Sequence, residues 1–200
     1  MLNKSALESY WTKRYEEGSI GWNVGSPTTP VMRYGDQLTD KSLSILIPGA
    51  GNAYEAEHLH SQGFTQVHIL DVSPIPLANF LERVPDFPKS HIINADFFHH
   101  EGQYDIIIEQ TFFCSFSPSP ENRTRYAETM HSLLKPGGKL VGLWFDFELD
   151  ATGGPPYGGN AEEYKRYFEP LFSTVSFEPC ENSIKPRAGR ELWGEMLKGS

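Results

Sequence analysis

Residues 45–51 read Ile-Leu-Ile-Pro-Gly-Ala-Gly (ILIPGAG), an apolar run that breaks at a G-x-G turn and passes into a helical pattern. Such continuous apolar character marks a strand buried on both faces, as the inner strands of a parallel sheet are. Gly49 and Gly51 allow a tight reversal and, with Ala50 between them, leave room for a ligand against the backbone. Working outward, the strand extends back over Leu43–Pro48. Comparable runs follow at Val67–Asp71, His91–Asn94, Tyr104–Glu109 and Lys139–Phe145, with helical patterns between them. Strands and helices alternating in this order predict a doubly wound α/β fold. Two last runs, Ser173–Glu178 and Leu192–Leu197, lie close enough to pair as an antiparallel hairpin. The expected sheet is therefore seven-stranded and mostly parallel, with that hairpin at its C-terminal end.

Helix starts are written between the strands. Asn52 with Glu55, and Asn160 with Glu163, have capping-box spacing. Ser73-Pro74 and Ser119-Pro120 each put a capping residue before a proline at the first helical position. Tyr126, Ala127, Met130, Leu133 and Leu134 form a helical stripe that Lys135-Pro136-Gly137-Gly138 stops. The chain reads as one domain, 1–200, whose core spans 43–200. Residues 1–42 precede the first strand as a segment placed to act as a lid, and a Gly/Pro-rich loop fills 150–160.

Composition narrows the function. The 200 residues carry 17 basic and 26 acidic side chains, a net charge of −9. A nucleic-acid binder shows the opposite balance, so no nucleic-acid partner is expected. Apolar runs fall far short of the ~20 residues that span a bilayer, so no membrane is expected either. Two distant cysteines, Cys114 and Cys180, without a CxxC pair, argue for reduced thiols in a cytoplasmic protein. No apolar signal-peptide core is seen near the N-terminus. His58 and His60 cannot share a helix face, His99-His100 lies in a turn, and no HExxH occurs, so no metal site is expected.

Acidic residues mark what the glycine turn would hold. Asp71 ends the second strand twenty residues after Gly51, where a carboxylate receives ribose hydroxyls. The third glycine of a dinucleotide fingerprint is missing, Tyr54 standing in its place. A nucleoside cofactor without phosphates fits this turn better than a nicotinamide one. Asp96-Phe97 follows the third strand, a carboxylate and a ring suited to an adenine's amino group and face. With Glu109-Gln110, four strand ends converge where open α/β sheets bind ligands.

These residues, with Trp11, Tyr15, Trp22, Pro30, Leu46–Gly51, Leu70–Ser73, Ala95–Phe97, Phe112-Phe113-Cys114, Leu133–Gly138 and Gly153-Gly154-Pro155-Pro156-Tyr157, carry a family resemblance. The chain resembles the class I S-adenosylmethionine-dependent methyltransferases, within them the thiopurine methyltransferase superfamily and its thiol/halide methyltransferase branch. The resemblance covers nearly the whole chain and implies a Rossmann-like fold and S-adenosyl-L-methionine as cofactor. LLKPGG is common among methyltransferases, whereas the N-terminal aromatic triplet with GGPPY is far more specific. Carried over, the cofactor contacts fall on Trp11, Tyr15, Trp22, Gly49, Asp71, Ser73, Asp96, Phe97 and Gln110, beside Ala50 and Gly51 of the turn. Tyr15 stands where the plant-type branch has tryptophan. Ala50, Asn52 and Ala53 replace a turn richer in cysteine and glycine. Gln110 replaces tyrosine or arginine, a difference that bears on the substrate more than on the cofactor.

The implied chemistry suits these residues. Aromatic faces stabilise a sulfonium cation by roughly 0.5–2 kcal/mol each when desolvated. Leu7, Trp11 and Tyr15 fall on one helix face at i, i+4 and i+8. Tyr157 is expected to close over a small-molecule acceptor, with Phe113 and Trp144 as walls. An anionic thiolate or halide needs no protein base, so no catalytic His or Cys is expected, and Cys114 reads as a small buried hydrophobe. Lys185, Arg187 and Arg190 form a basic run between the last two strands that could draw an anionic substrate, although a solvated hairpin tip is the better reading. The acceptor expected is a small thiol, halide or related nucleophile, handled by a monomer or homodimer. The alternatives are an oxygen, nitrogen or arsenic acceptor, a cofactor-binding module without turnover, and a nicotinamide enzyme disfavoured by Tyr54. Calorimetry separates the last: S-adenosylmethionine and its demethylated product should bind well above NAD, and tight NAD binding alone would overturn that expectation.

Overall fold

The computed structural model describes residues 4–148, 150 and 152–200. Of the sequence expectations, residues 1–3 of the N-terminal segment and 151 of the Gly/Pro loop lie outside the described residues. Seven strands form one sheet: β1 (Ile45–Pro48), β2 (Val67–Asp71), β3 (Ile92–Asn94), β4 (Tyr104–Gln110), β5 (Leu134–Phe145), β6 (Thr174–Pro179) and β7 (Glu191–Leu197). Their order across the sheet is β3-β2-β1-β4-β5-β7-β6. The first five are parallel, while β7 runs antiparallel to both β5 and β6. The expected hairpin is present, with its second strand inserted next to β5.

Among the described residues, six α-helices surround the sheet: α1 (Lys4–Glu16), α2 (Thr29–Gln37), α3 (Tyr54–Ser61), α4 (Pro74–Arg83), α5 (Pro120–Leu133) and α6 (Ala161–Phe168). Two apolar layers result. Val31, Ala56, Leu59, Leu77 and Phe80 of α2, α3 and α4 pack on Ile45, Ile47 and Ile69. Tyr126, Met130, Tyr164 and Phe168 of α5 and α6 pack on Leu46, Ile107 and Leu140 on the opposite side. Alternate residues of β1 thus face opposite layers, which is why ILIP is apolar throughout.

The helix signals divide. Ser119 Oγ accepts the Asn122 amide at 3.2 Å and Asn160 Oδ1 accepts the Glu163 amide at 3.0 Å, so both caps form as spaced. The Asn52–Glu55 box does not form. Ala53, left-handed at φ 55°, precedes α3, and both polar side chains are drawn to other partners. Asn52 bridges Asn23 and Asn79, both at 3.1 Å, while Glu55 Oε1 accepts the Thr28 amide at 3.0 Å. Polar groups read as local caps instead fasten the N-terminal segment to the core.

Phe113 and Trp144, expected as substrate walls, are core residues instead. Phe113 packs on Tyr126 and Tyr164 with ring centroids 4.8 and 5.4 Å apart. Trp144 is 2% exposed, set against Phe177 and the bare face of Gly194. The reason lies in the parity of β5, whose even-numbered residues from Leu140 to Trp144 face the α5–α6 layer around Gly142. Trp144→Ala should therefore lower stability by about 3–5 kcal/mol. Acceptor KM should remain unchanged at temperatures where the variant is folded. Denaturant unfolding with steady-state kinetics checks both, and a large KM change in a stable variant would return Trp144 to the site.

Candidate active site

A cavity of about 430 Å³ opens beyond the carboxyl ends of β1, β2 and β4. Its floor is the turn after β1. Gly49 has φ +59°, and a β-carbon there would come 2.0 Å from the Phe112 ring, so glycine is required twice over. Gly51, at φ +53°, lies against the Tyr15 hydroxyl, which a β-carbon would meet at 3.0 Å. The turn is held from beneath by Asp71. Its Oδ2 accepts the Gly51 amide and its Oδ1 the Ser73 amide, each at 2.9 Å. Burial pushes the Asp71 carboxyl up to about 6, although the Ser73, Gly51 and Val72 amides pull it the other way. Asn94 Nδ2 donates to the Asp71 and Val72 carbonyls at 3.1 and 2.9 Å, bracing the strand end.

Asp96 occupies the next strand end. Its Oδ1 accepts the Phe98 amide at 3.0 Å and its Oδ2 lies 2.8 Å from His99 Nδ1. Phe97 lies beside it, buried, with its ring centroid 5.1 Å from that of Phe112. Both residues border the cavity, as do Asp71 and Gly49.

The roof is α1 and the turn after it. Trp22 meets Trp11 and Tyr15 edge to face, at 5.4 and 5.8 Å. Trp22 Nε1 donates to the Tyr15 hydroxyl at 3.4 Å, and burial raises the Tyr15 phenol. Thr12 and Ser73 share a hydroxyl hydrogen bond of 2.9 Å that ties α1 to the start of α4. The far wall follows β4 and β5. Glu109, fully buried, accepts the Phe112 and Phe113 amides at 2.8 and 3.0 Å and the Tyr126 hydroxyl. Burial pushes Glu109 up to about 7, against the pull of Tyr126 and the two amides. This clamp sets the loop from which Phe112, Cys114 and Phe116 reach the cavity.

The predicted residues therefore separate into three groups. Trp11, Tyr15, Trp22, Gly49, Asp71, Asp96 and Phe97 border one cavity. Ala50, Gly51, Ser73 and Gln110 lie behind its surface. Gly51 and Ser73 hold Asp71 through their amides, and Gln110 accepts from Thr28 Oγ1 at 3.2 Å. Tyr157 folds its ring over Gly154 of its own loop and donates its amide to the Cys114 carbonyl at 2.8 Å, leaving Pro155 and Pro156 at the cavity. Sequence reading missed Phe112, Phe116 and Phe145, and it preferred a solvated hairpin tip for Arg187, which is buried at the cavity. Phe112 was hidden because a 3₁₀ turn over Phe113–Ser115 breaks the strand period just after Thr111 at φ 54°. Arg187 had one available sign: Glu191 stands four residues on, in partnering distance for a buried pair.

A nucleoside-sized cleft, a glycine floor and carboxylates at consecutive strand ends define a methyltransferase site on a Rossmann-like sheet, and comparison with known proteins supports that class. Residues 6–196 match the family model described as Thiopurine S-methyltransferase (TPMT), so the chain belongs to the thiopurine S-methyltransferase family. It is 32% identical over 95% of its length to a probable thiol methyltransferase 2 of Arabidopsis thaliana, covering 85% of that relative. It is 30% identical over 98% of its length to thiocyanate methyltransferase 1 of the same plant, covering 88% of it. Among solved structures, the Burkholderia thailandensis 1,6-didemethyltoxoflavin-N1-methyltransferase, with its substrate and S-adenosylhomocysteine bound, superposes with a TM-score of 0.73 at 16% identity. That match covers 98% of this chain and 88% of the other. The protein is an S-adenosylmethionine-dependent methyltransferase. The residues present fit that cofactor: Asp71 and Asp96 supply carboxylates at the cavity wall, and Trp11, Tyr15 and Trp22 supply ring edges and faces.

Hydroxyl donors favour the ionised form of Asp71, so affinity for the demethylated cofactor should fall as pH drops below about 6 and level off above it. Asp71→Ala should weaken binding by roughly 1.5–3 kcal/mol, and Asp71→Asn should flatten the pH dependence. Calorimetry between pH 5 and 8 measures both; an unaltered slope in the Asn variant would remove Asp71 as the source.

Proposed function

We propose that the enzyme methylates a small, soft nucleophile of the thiol or halide type, in the cytoplasm, acting as a monomer or homodimer. We read the chain as one catalytic unit in which residues 1–42 serve as the lid. The observation that carries this reading is the character of the acceptor end of the cavity: Phe112, Phe116, Phe145, Pro155 and Pro156 make it apolar, and no histidine borders it among the described residues. Its thiol, Cys114, is held protonated by burial and by the Glu109 charge. Such an end offers no general base and suits a nucleophile that arrives already anionic. When bound, S-adenosylmethionine supplies a methyl group on a positively charged sulfur.

The chain's own contribution is exclusion of water and placement. An anion stripped of water in an apolar pocket is a stronger nucleophile, and the aromatic walls limit its approach directions. Trp11, Tyr15 and Trp22 close the roof over the same space. The two plant relatives named for thiol and thiocyanate methylation support the same acceptor class.

A headspace assay with iodide, hydrosulfide, thiocyanate and thiophenols tests the proposal and should reveal their methylated products. At saturating cofactor, kcat/KM for iodide should be nearly flat across neutral pH. For a thiol it should rise until the acceptor itself is ionised. A steep titration shared by all acceptors would point to a protein base and overturn the mechanism. Methylation confined to oxygen, amine or arsenic acceptors would overturn the acceptor class.

A further inference from the structure

Pro155 and Pro156 border the cavity, yet they lie outside every helix and strand. Among the described residues, hydrogen bonds at three successive positions tie the segment after them to the rest of the chain. The Tyr157 amide donates to the Cys114 carbonyl at 2.8 Å, and the Gly159 amide donates to the Phe147 carbonyl at 2.9 Å. Between them, the Gly158 carbonyl accepts from a core helix: Arg123 Nη2 of α5 donates to it at 2.8 Å. Gly158 is itself packed close, since a β-carbon there would come 2.5 Å from the Phe147 carbonyl oxygen. The arginine therefore grips the loop where it has least room to shift.

Arg123 is 2% exposed, an uncommon burial for an arginine. It stands fourth in α5, near a helix N-terminus, where a cation is disfavoured. Glu163, in the first turn of α6, pairs with its Nη1. The guanidinium carbon lies 4.9 Å from the Phe113 ring centroid and 5.5 Å from that of Tyr164. A buried ion pair generally adds little stability over apolar side chains of the same volume. The bond to the Gly158 carbonyl is what no apolar side chain could supply. One guanidinium thus touches the ring next to Phe112 and the loop that bears Pro155 and Pro156, two parts of the same cavity wall.

We propose that Arg123 is the positioning residue of the acceptor wall: it holds Pro155 and Pro156 at the cavity and so limits the acceptor to a small one. This rests on the acceptor reading above and deepens it by naming what sets the size. Proline rings are rigid and carry no donor, so clearance at this wall follows the backbone beneath them. Cofactor and acceptor share one cavity of about 430 Å³. A wall that gives way admits bulkier nucleophiles and loses its hold on the placement of small ones. Arg123 is not among the cavity's lining residues and exchanges no proton; it acts through the loop.

The test uses the full chain. With the demethylated cofactor bound, hydrogen exchange at the Tyr157 and Gly159 amides should quicken by about tenfold in Arg123→Met, the effect of losing one charge-assisted bond. In steady-state assays KM for hydrosulfide and iodide should rise by about tenfold with kcat less affected. KM for a bulky para-substituted thiophenol should stay level or fall. Arg123→Lys should recover part of each change, and affinity for the demethylated cofactor should stay within about twofold in both variants. A role confined to stability would lower turnover of all acceptors together and leave their ratio unaltered. Should Arg123→Met not fold, its combination with Glu163→Gln removes the stranded carboxylate and carries the same expectations. An unaltered thiophenol-to-iodide ratio in a folded variant would overturn the proposal, as would a loss of cofactor affinity equal to that of acceptor affinity. Should the wild type methylate only oxygen or amine acceptors, with a size preference that residue 123 moves, the acceptor reading falls while the wall assignment stands. Should it methylate thiols and halides with a size preference indifferent to residue 123, the reverse holds.

Discussion

Two backbone amides, from Gly51 and Ser73, converge on the one buried carboxylate of Asp71. These hydrogen bonds join the turn after β1 to the turn after β2, the two loops that form the centre of the cavity. Desolvation works against the arrangement, which is why the carboxyl is raised, and only amide donors lie close enough to offset it. Everything above depends on this clamp. It fixes the glycine floor, and the Ser73 hydroxyl then becomes the attachment point for Thr12 of α1.

The roof is fastened by the same kind of interaction at several other points. Thr28 reaches Glu55 and Gln110, Asn23 reaches Asn52, and the Trp22 carbonyl reaches Arg187. Each pairs the N-terminal segment with a polar group of the core, Arg187 among them at the cavity itself. Among the described residues of the segment, Val31 of α2 is buried in one core layer and Tyr34 and Leu38 pack against it.

On the opposite wall Glu109 does for β4 what Asp71 does for β2. It gathers the Phe112 and Phe113 amides and the Tyr126 hydroxyl around a carboxyl that has no cationic partner among the described residues. The result orients two neighbouring rings in opposite senses, Phe112 into the cavity and Phe113 into the α5–α6 layer. Carboxylates that organise loops from below, one per wall, thus frame a space whose wall beyond β4 and β5 is lined by Phe112, Phe116, Phe145, Pro155 and Pro156 beside Thr111, Cys114, Ser115 and Arg187.

By itself the sequence determined the elements and their order. Apolar runs punctuated by glycine, proline and capping pairs are local signals, and hydrophobic burial converts them into a sheet with little ambiguity. It also placed Gly49, Asp71 and Asp96 at the border of the cavity, because they sit at strand ends whose position the alternation itself dictates. The wall of the cavity beyond β4 and β5 was decided only in three dimensions. Phe112 or Phe113 could each have faced the cavity until the turn at Thr111 chose between them. Trp144 was assigned to the core by strand parity around Gly142, and the Asn52–Glu55 pair abandoned its helix for partners in a distant segment. Arg187 became a cavity residue because β7 inserts between β5 and β6, bringing a loop from the end of the chain against residues 22 and 145. Local patterns carry backbone geometry; which side chain meets a ligand depends on contacts between residues far apart in the chain, and those exist only once the sheet has closed.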